Sequence, residues 1–171
     1  MSGEVIILTG PPGAGKTTVA EVLATNASVP TVHLVTDQFY RSIRAGFVLP
    51  FLPEAQRQNE VVIEAIVGTT RTFARGGYDV VVDGIVGPWF LAPFRDAFSE
   101  LSYVVLRPDL ETTLTRARER AGRELKDVAA ITGLYGAFAQ LGELEDYVID
   151  TRDLDVEQTA AEVRRGDFRL K

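Results

Sequence analysis

The chain has 171 residues, a mass of 18.7 kDa, no cysteine, and a net charge of −6 with a pI near 4.9. That length suits a domain that builds its own core, and the missing cysteines exclude disulfide frameworks, zinc–thiolate sites and thiol nucleophiles. The acidic balance disfavours nucleic acid and anionic membrane as partners; with no bilayer-length apolar run and no basic leader, a cytoplasmic protein that binds neither is expected.

Val5–Leu8 is apolar and reads as the first strand. The stretch "GPPGAGKT", Gly10 to Thr17, follows it, and a helix is predicted from about Lys16 to Ala27. Thr31–Thr36 is the second strand, and Asp37 opens a short helical stretch, "DQFYRSIR". "GFVLPFLP" breaks that stretch with two prolines. A long helix is predicted from Pro53 or Glu54 to about Arg75. Its apolar stripe is Val61, Ile63, Ala65, Ile66 and Phe73, while Gln58, Asn59 and Glu60 form a polar patch read as a solvated face. Gly76–Gly77 closes this helix.

"YDVVVDG" is the third strand, apolar enough for the centre of a parallel sheet. Pro88 opens a helix through about Phe98. "SYVVLRP" is the fourth strand, and Asp109 is the N-cap of a helix ending at Gly122. A helix from about Lys126 to Gly142, a fifth strand in "DYVIDT" and a helix over Val156–Arg165 complete the chain. Strands alternating with helices predict an α/β fold around a parallel sheet. No repeat or linker interrupts the pattern, so residues 1–171 read as one domain.

The spacing Gly10, four residues, Gly15-Lys16-Thr17 matches the phosphate-binding loop pattern, and it stands between a predicted strand and a predicted helix, as that motif requires. Glycines let the backbone curl so that successive N–H groups point at phosphate oxygens. The helix beginning near Lys16 adds its positive dipole end. Lys16 is a cation able to reach the β and γ phosphates, and Thr17 offers a hydroxyl to Mg²⁺. Gly10, Pro11, Pro12, Gly13, Ala14, Gly15, Lys16, Thr17 and Thr18 are therefore the expected contacts of ATP with Mg²⁺.

Triphosphate binding serves switches, motors and kinases alike. A GTPase reader of the Asn-Lys-x-Asp type is missing, since Asn26 and Asn59 are the only asparagines. A hydrolytic motor places a glutamate after the aspartate that ends its third strand, where this chain has Gly84. A kinase is the class left in front, with an ATP-binding regulatory protein of little turnover as the alternative.

In order along the chain, "GPPGAGKT", Asp37 after the second strand, "VVVDG", "LTRARER" and "VIDT" resemble the small P-loop kinases of the adenylate-kinase-like fold. Within that group the chain is similar to the shikimate and gluconate kinases, the chloramphenicol phosphotransferases and the zeta-toxin relatives. The resemblance implies a three-layer fold with five parallel strands in the order 2-3-1-4-5, and transfer of the γ-phosphate of ATP to a hydroxyl of a small molecule. Nucleoside monophosphates are a second acceptor class within the group.

Asp37 lies just past the second strand, at the edge where open α/β sheets bind ligands, and a carboxylate there can take the acceptor's proton. Asp is also a helix N-cap residue. Asp83 ends the third strand. Burying it unpaired would be costly, so a solvated or ion-facing position is expected. Either carboxylate fits the role of base. Arg116, Arg120 and Arg123 share one helical face, and the resemblance implies a lid around residues 116–126 in which Arg116 and Arg120 close over the transferred phosphoryl group. Arg41 and Arg44 suit either a clamp on an anionic acceptor or an ordinary helix surface. Trp89 suits a wall of the acceptor pocket or a core anchor. His33 reads as structural, and Thr151 stands where the relatives pass the chain around adenine, chiefly through backbone contacts.

Overall fold

The computed structural model describes residues 2–119 and 127–171. Strands β1 (Val5–Thr9), β2 (Thr31–Val35), β3 (Asp79–Asp83), β4 (Ser102–Leu106) and β5 (Val148–Ile149) form one sheet in the order β2-β3-β1-β4-β5. All four pairings are parallel. Seven α-helices accompany the strands among the described residues: α1 (Lys16–Thr25), α2 (Thr36–Arg41), α3 (Gln56–Arg75), α4 (Ala92–Ala97), α5 (Leu110–Glu119), α6 (Val128–Ala139) and, after the last strand, α7 (Val156–Arg165).

Successive strand residues point to opposite faces, and both faces are covered, which is why β3 reads as an unbroken apolar run. Val80, Val82, Tyr103 and Val105 face α3 and α4, where they bury Ile63, Ile66 and Phe94. Leu8, Val81, Val104 and Leu106 face α1 and α7, against Val19, Leu23, Ala160 and Val163. Each fully buried side chain of this kind contributes about 1.5–3 kcal/mol. With β1 flanked by β3 and β4, the connections after β1, β2 and β3 all open on one rim of the sheet, and that rim holds the site.

Four local expectations are corrected. The buried face of α3 is Asn59, Val62, Ile63, Ile66, Val67, Thr70 and Ala74, a clean three-and-four spacing, whereas Val61 is 47% exposed and Ala65 is exposed. Asn59 and Gln58 are not a solvated face. Asn59 is 5% exposed and its Nδ2 donates to the carbonyl of Pro50 at 2.8 Å, while Gln58 exchanges two hydrogen bonds with the backbone of Val48. The segment opened by Pro88 is not one helix: Pro88–Phe90 is a 3-10 turn, and α4 begins at Ala92 with Pro93 in its first turn. The fifth strand shrinks to Val148–Ile149 because Gly142–Tyr147 winds as a 3-10 helix.

Arg107, just past β4, holds this last region in place. Its guanidinium donates to the carbonyl of Phe138 at 2.8 Å and grips both carboxylate oxygens of Glu145, at 2.9 and 2.8 Å. The end of α6 and the 3-10 helix before β5 are thereby tied to the sheet. Asp109 caps α5 as expected, accepting from the backbone N–H of Thr112 at 2.7 Å.

Candidate active site

The loop from β1 to α1 curls because Gly13 (φ 81°) and Gly15 (φ 85°) occupy the left-handed region. A Cβ on Gly13 would lie 2.6 Å from the carbonyl oxygen of Thr113, so α5 rests directly on the loop. Gly15 is the N-cap of α1, and no side chain caps that helix. Its first N–H groups face a concave turn at the positive end of the helix, which is the arrangement that holds phosphate. Lys16 is only 8% exposed and folds back along the loop, its Nζ donating to the carbonyls of Gly10 (3.1 Å) and Pro11 (2.9 Å). Gly10, Pro11, Pro12 and Ala14 are buried beneath it, whereas Thr17 and Thr18 are exposed on the first turn of α1.

Two carboxylates stand on the same rim in different surroundings. Asp83 is 2% exposed, which corrects the solvated half of the expectation that it would be solvated or ion-facing. Its charge is matched by His33 of β2, whose Nε2 lies 3.2 Å from Oδ2 of Asp83, and whose Nδ1 lies 3.3 Å from Oε2 of Glu21 on α1. Register explains the meeting: Val35 pairs with Asp83 and His33 with Val81, so His33 and Asp83 project from the same face of adjacent strands. The bond to Asp83 is the main reason that the His33 imidazole is held above its ordinary range. Asp37 is exposed in the first turn of α2, and the N-cap position belongs to Val35, so Asp37 does not cap the helix. The ends of β3 and β2 are pressed together, because a Cβ on Gly84 would lie 1.8 Å from Oγ1 of Thr36, the residue before Asp37.

Oxygen donors suit Mg²⁺, which keeps few protein ligands and shares the rest with water and substrate phosphates. The exposed hydroxyl of Thr17 and the carboxylate of Asp83, on strands and turns flanking β1, are such donors. Among the described residues no group of three acidic or imidazole side chains forms a closed metal cage. The donor set fits a metal carried largely by phosphate.

Arg116 comes to the loop from the other side. It is exposed in the last turn of α5, and its Nη1 lies 3.8 Å from the position a Cβ on Gly15 would take. A guanidinium therefore leans over the mouth of the phosphate cradle. Arg120 and Arg123, with most of the expected lid, fall outside the described residues.

The AAA domain matches residues 6–132. The chain belongs to that family. The fold of this AAA domain is that of small P-loop kinases. A tunicamycin resistance protein of Deinococcus radiodurans superposes with a TM-score of 0.72 at 18% identity, covering 94% of this chain and 93% of that one. Shikimate kinase from Acinetobacter baumannii, solved with shikimate, gives 0.65 at 21% identity, with 95% and 92% covered. The APS kinase of Mycobacterium tuberculosis, solved with AMPPNP and APS, gives 0.63 at 19% identity, with 95% and 96% covered. No curated protein matches the sequence significantly. Among the described residues, no helix is long and apolar enough to cross a membrane.

In this AAA domain, Trp89 sits on the turn after β3, 47% exposed, with its ring edge-on to Phe138 of α6 at 5.6 Å. It thus packs against α6. Arg41 and Arg44 are exposed at and beyond the end of α2. Thr151 is 3% exposed and its hydroxyl finds no partner among the described residues, nor does that of the buried Thr113 on α5. The residues that sequence reasoning undervalued are His33 and Glu21. A lone histidine in a strand carries no motif, and only the strand register reveals what faces it.

Proposed function

We propose that the protein is an ATP- and Mg²⁺-dependent phosphotransferase that moves the γ-phosphate of ATP to a hydroxyl of a small molecule. The observation that supports this reading is the approach of Arg116 to the uncapped start of α1, where its Nη1 lies 3.8 Å from the position a Cβ on Gly15 would take. Lys16 and the backbone N–H groups of residues 13–18 would hold the β and γ phosphates, with Gly10, Pro11 and Pro12 shaping the loop. Thr17, with Asp83 behind it, would hold Mg²⁺, which neutralises charge on the phosphates when bound. Residues 116–126 would close as a lid, with Arg116 and Arg120 facing the transferred group, and Thr151 would border the adenine.

The acceptor oxygen attacks the γ phosphorus in line; its bond to phosphorus forms as the bond to the β,γ-bridging oxygen breaks, and ADP leaves with that electron pair. The acceptor proton passes to a carboxylate. Burial of Asp83 against His33 favours the exposed Asp37 for that task, and Arg41, Arg44 and Trp89 border the space where the acceptor would lie. Positioning and electrostatics supply the rate, so no phosphorylated protein intermediate is needed.

Relatives in fold support the acceptor class: the neighbours solved with shikimate, or with AMPPNP and APS, are kinases by name. The test is ADP release from ATP and Mg²⁺ across a panel of hydroxyl compounds, sugar acids, nucleosides and nucleoside monophosphates. Release with one compound class, abolished by Lys16→Ala, supports transfer. ATP binding without release across the whole panel favours an ATP-binding regulatory protein.

A further inference from the structure

Glu21, His33 and Asp83 come from three different elements and form one bridge. Nε2 of His33 lies 3.2 Å from Oδ2 of Asp83, and Nδ1 of the same ring lies 3.3 Å from Oε2 of Glu21. Both flanking groups are carboxylates, which only accept, so the ring donates both bonds. Burial falls off along the bridge: the Asp83 side chain is 2% exposed, that of His33 12% and that of Glu21 70%.

The bridge joins the elements that carry the proposed magnesium donors. Thr17 and Glu21 stand four residues apart on α1, on one side of the helix and about 6 Å apart along its axis. Asp83 ends β3, paired with Leu8 of β1 on one side and with Val35 of β2 on the other. His33 therefore ties the side of α1 that carries Thr17 to the end of β3. A carboxylate turns about its Cβ–Cγ bond, but with Oδ2 bonded to the ring that turn would break the bond. The second bond, to Glu21, fixes the ring itself.

We infer that His33 and Glu21 are positioning residues: His33 holds the Asp83 carboxylate in the orientation that meets the Mg²⁺ of bound ATP, and Glu21 holds the ring. This rests on the magnesium–nucleotide part of the phosphotransfer reading. Pairing that served the fold alone would need only His33 and Asp83. An exposed third member adds little stability, yet it is the member that settles which way the imidazole faces.

Isothermal titration of the full chain with AMPPNP, once in saturating Mg²⁺ and once in EDTA, separates metal positioning from loop integrity. His33→Leu is expected to weaken AMPPNP about 10- to 100-fold in Mg²⁺ and to leave it unchanged in EDTA. By charge alone, removing a donor ring from beside Asp83 would tighten the metal, so a loss reports position. His33→Gln, whose Nε2 can replace that of the ring, should recover most of the affinity. Glu21→Ala alters an exposed side chain and carries the test should His33→Leu fail to fold; it should weaken AMPPNP several-fold, in Mg²⁺ only. Glu21→Gln keeps an acceptor oxygen without the charge and should bind as the wild type does. Equal losses in Mg²⁺ and EDTA overturn the proposal, as does wild-type affinity for Glu21→Ala in Mg²⁺. A loss in Glu21→Gln as large as that in Glu21→Ala traces the effect to charge and equally overturns it. The expected pattern without ADP release from any acceptor leaves the bridge standing and removes the phosphotransfer reading. ADP release with the same Mg²⁺ dependence in every variant removes the bridge and leaves that reading in place.

Discussion

His33 of β2 and Asp83 of β3 meet at 3.2 Å under the rim of the sheet, with Glu21 on the far side of the imidazole at 3.3 Å. An imidazolium there is favoured chiefly by its bond to Asp83, and burial opposes it. Because the folded value lies above the unfolded one, the pair's contribution to stability is complete below about pH 6.5 and is lost as pH rises through the folded value. Urea unfolding of the nucleotide-free chain should therefore show a gap between wild type and His33→Asn that is widest in mild acid and closes toward alkaline pH. A constant gap would mean that His33 acts by shape alone.

Lys16→Ala removes the cation that lies along the loop and donates to the carbonyls of Gly10 and Pro11. Turnover should fall at least about 100-fold, with the unfolding midpoint nearly unchanged. Activity close to wild type would rule out the phosphate role of the loop.

Gly13→Ala strikes the same loop through its backbone. The residue has φ 81°, and the added methyl would sit 2.6 Å from the carbonyl oxygen of Thr113. A cost of about 1–3 kcal/mol in stability is expected, together with loss of measurable ATP uptake by calorimetry. Retained ATP affinity would show that α5 can yield.

Arg116 leans over Gly15 from a solvent-exposed position, so its side chain is not needed for the fold. Arg116→Ala should lower kcat by roughly 10²–10³ and leave the unfolding midpoint in place. Arg116→Lys should recover only part of the loss, because a point charge lacks the planar fork. A change confined to KM for ATP would place Arg116 in ground-state binding only.

The Arg107–Glu145 clamp gives an acid-side signature. The Arg107 guanidinium, followed by the N–H of Leu141, holds the Glu145 carboxyl down at about 2. Its contribution is present above the ordinary glutamate range and is lost as pH falls toward that value. Glu145 is 41% exposed, so screening limits the effect to less than about 1 kcal/mol. Arg107→Leu should narrow the difference in stability between pH 5 and pH 2, read by circular dichroism.

Local chemistry made much of this architecture legible. The glycine loop, the Asp109 cap and the valine run of β3 each state their role in a few adjacent residues. The strand order followed only from resemblance, since spacing along a chain says nothing about which strands neighbour each other. What stayed hidden depended on partners distant in sequence. Val61 and Ala65 look like core residues until Asn59 and Val62 turn out to define the buried face. Gln58 and Asn59 look like solvated amides until the loop that carries Val48 and Pro50 folds over them. Asp83 looks too costly to bury until the register brings His33 opposite.

The press of Gly84 on Thr36 also constrains what this scaffold can become. A water-activating ATPase needs a second acid directly after the strand-ending aspartate, but any side chain at position 84 would collide at 1.8 Å with the neighbouring threonine. An acid at that position would first require the β2 and β3 termini to separate. Position 84 is thus held to glycine by the bulk of one neighbouring threonine.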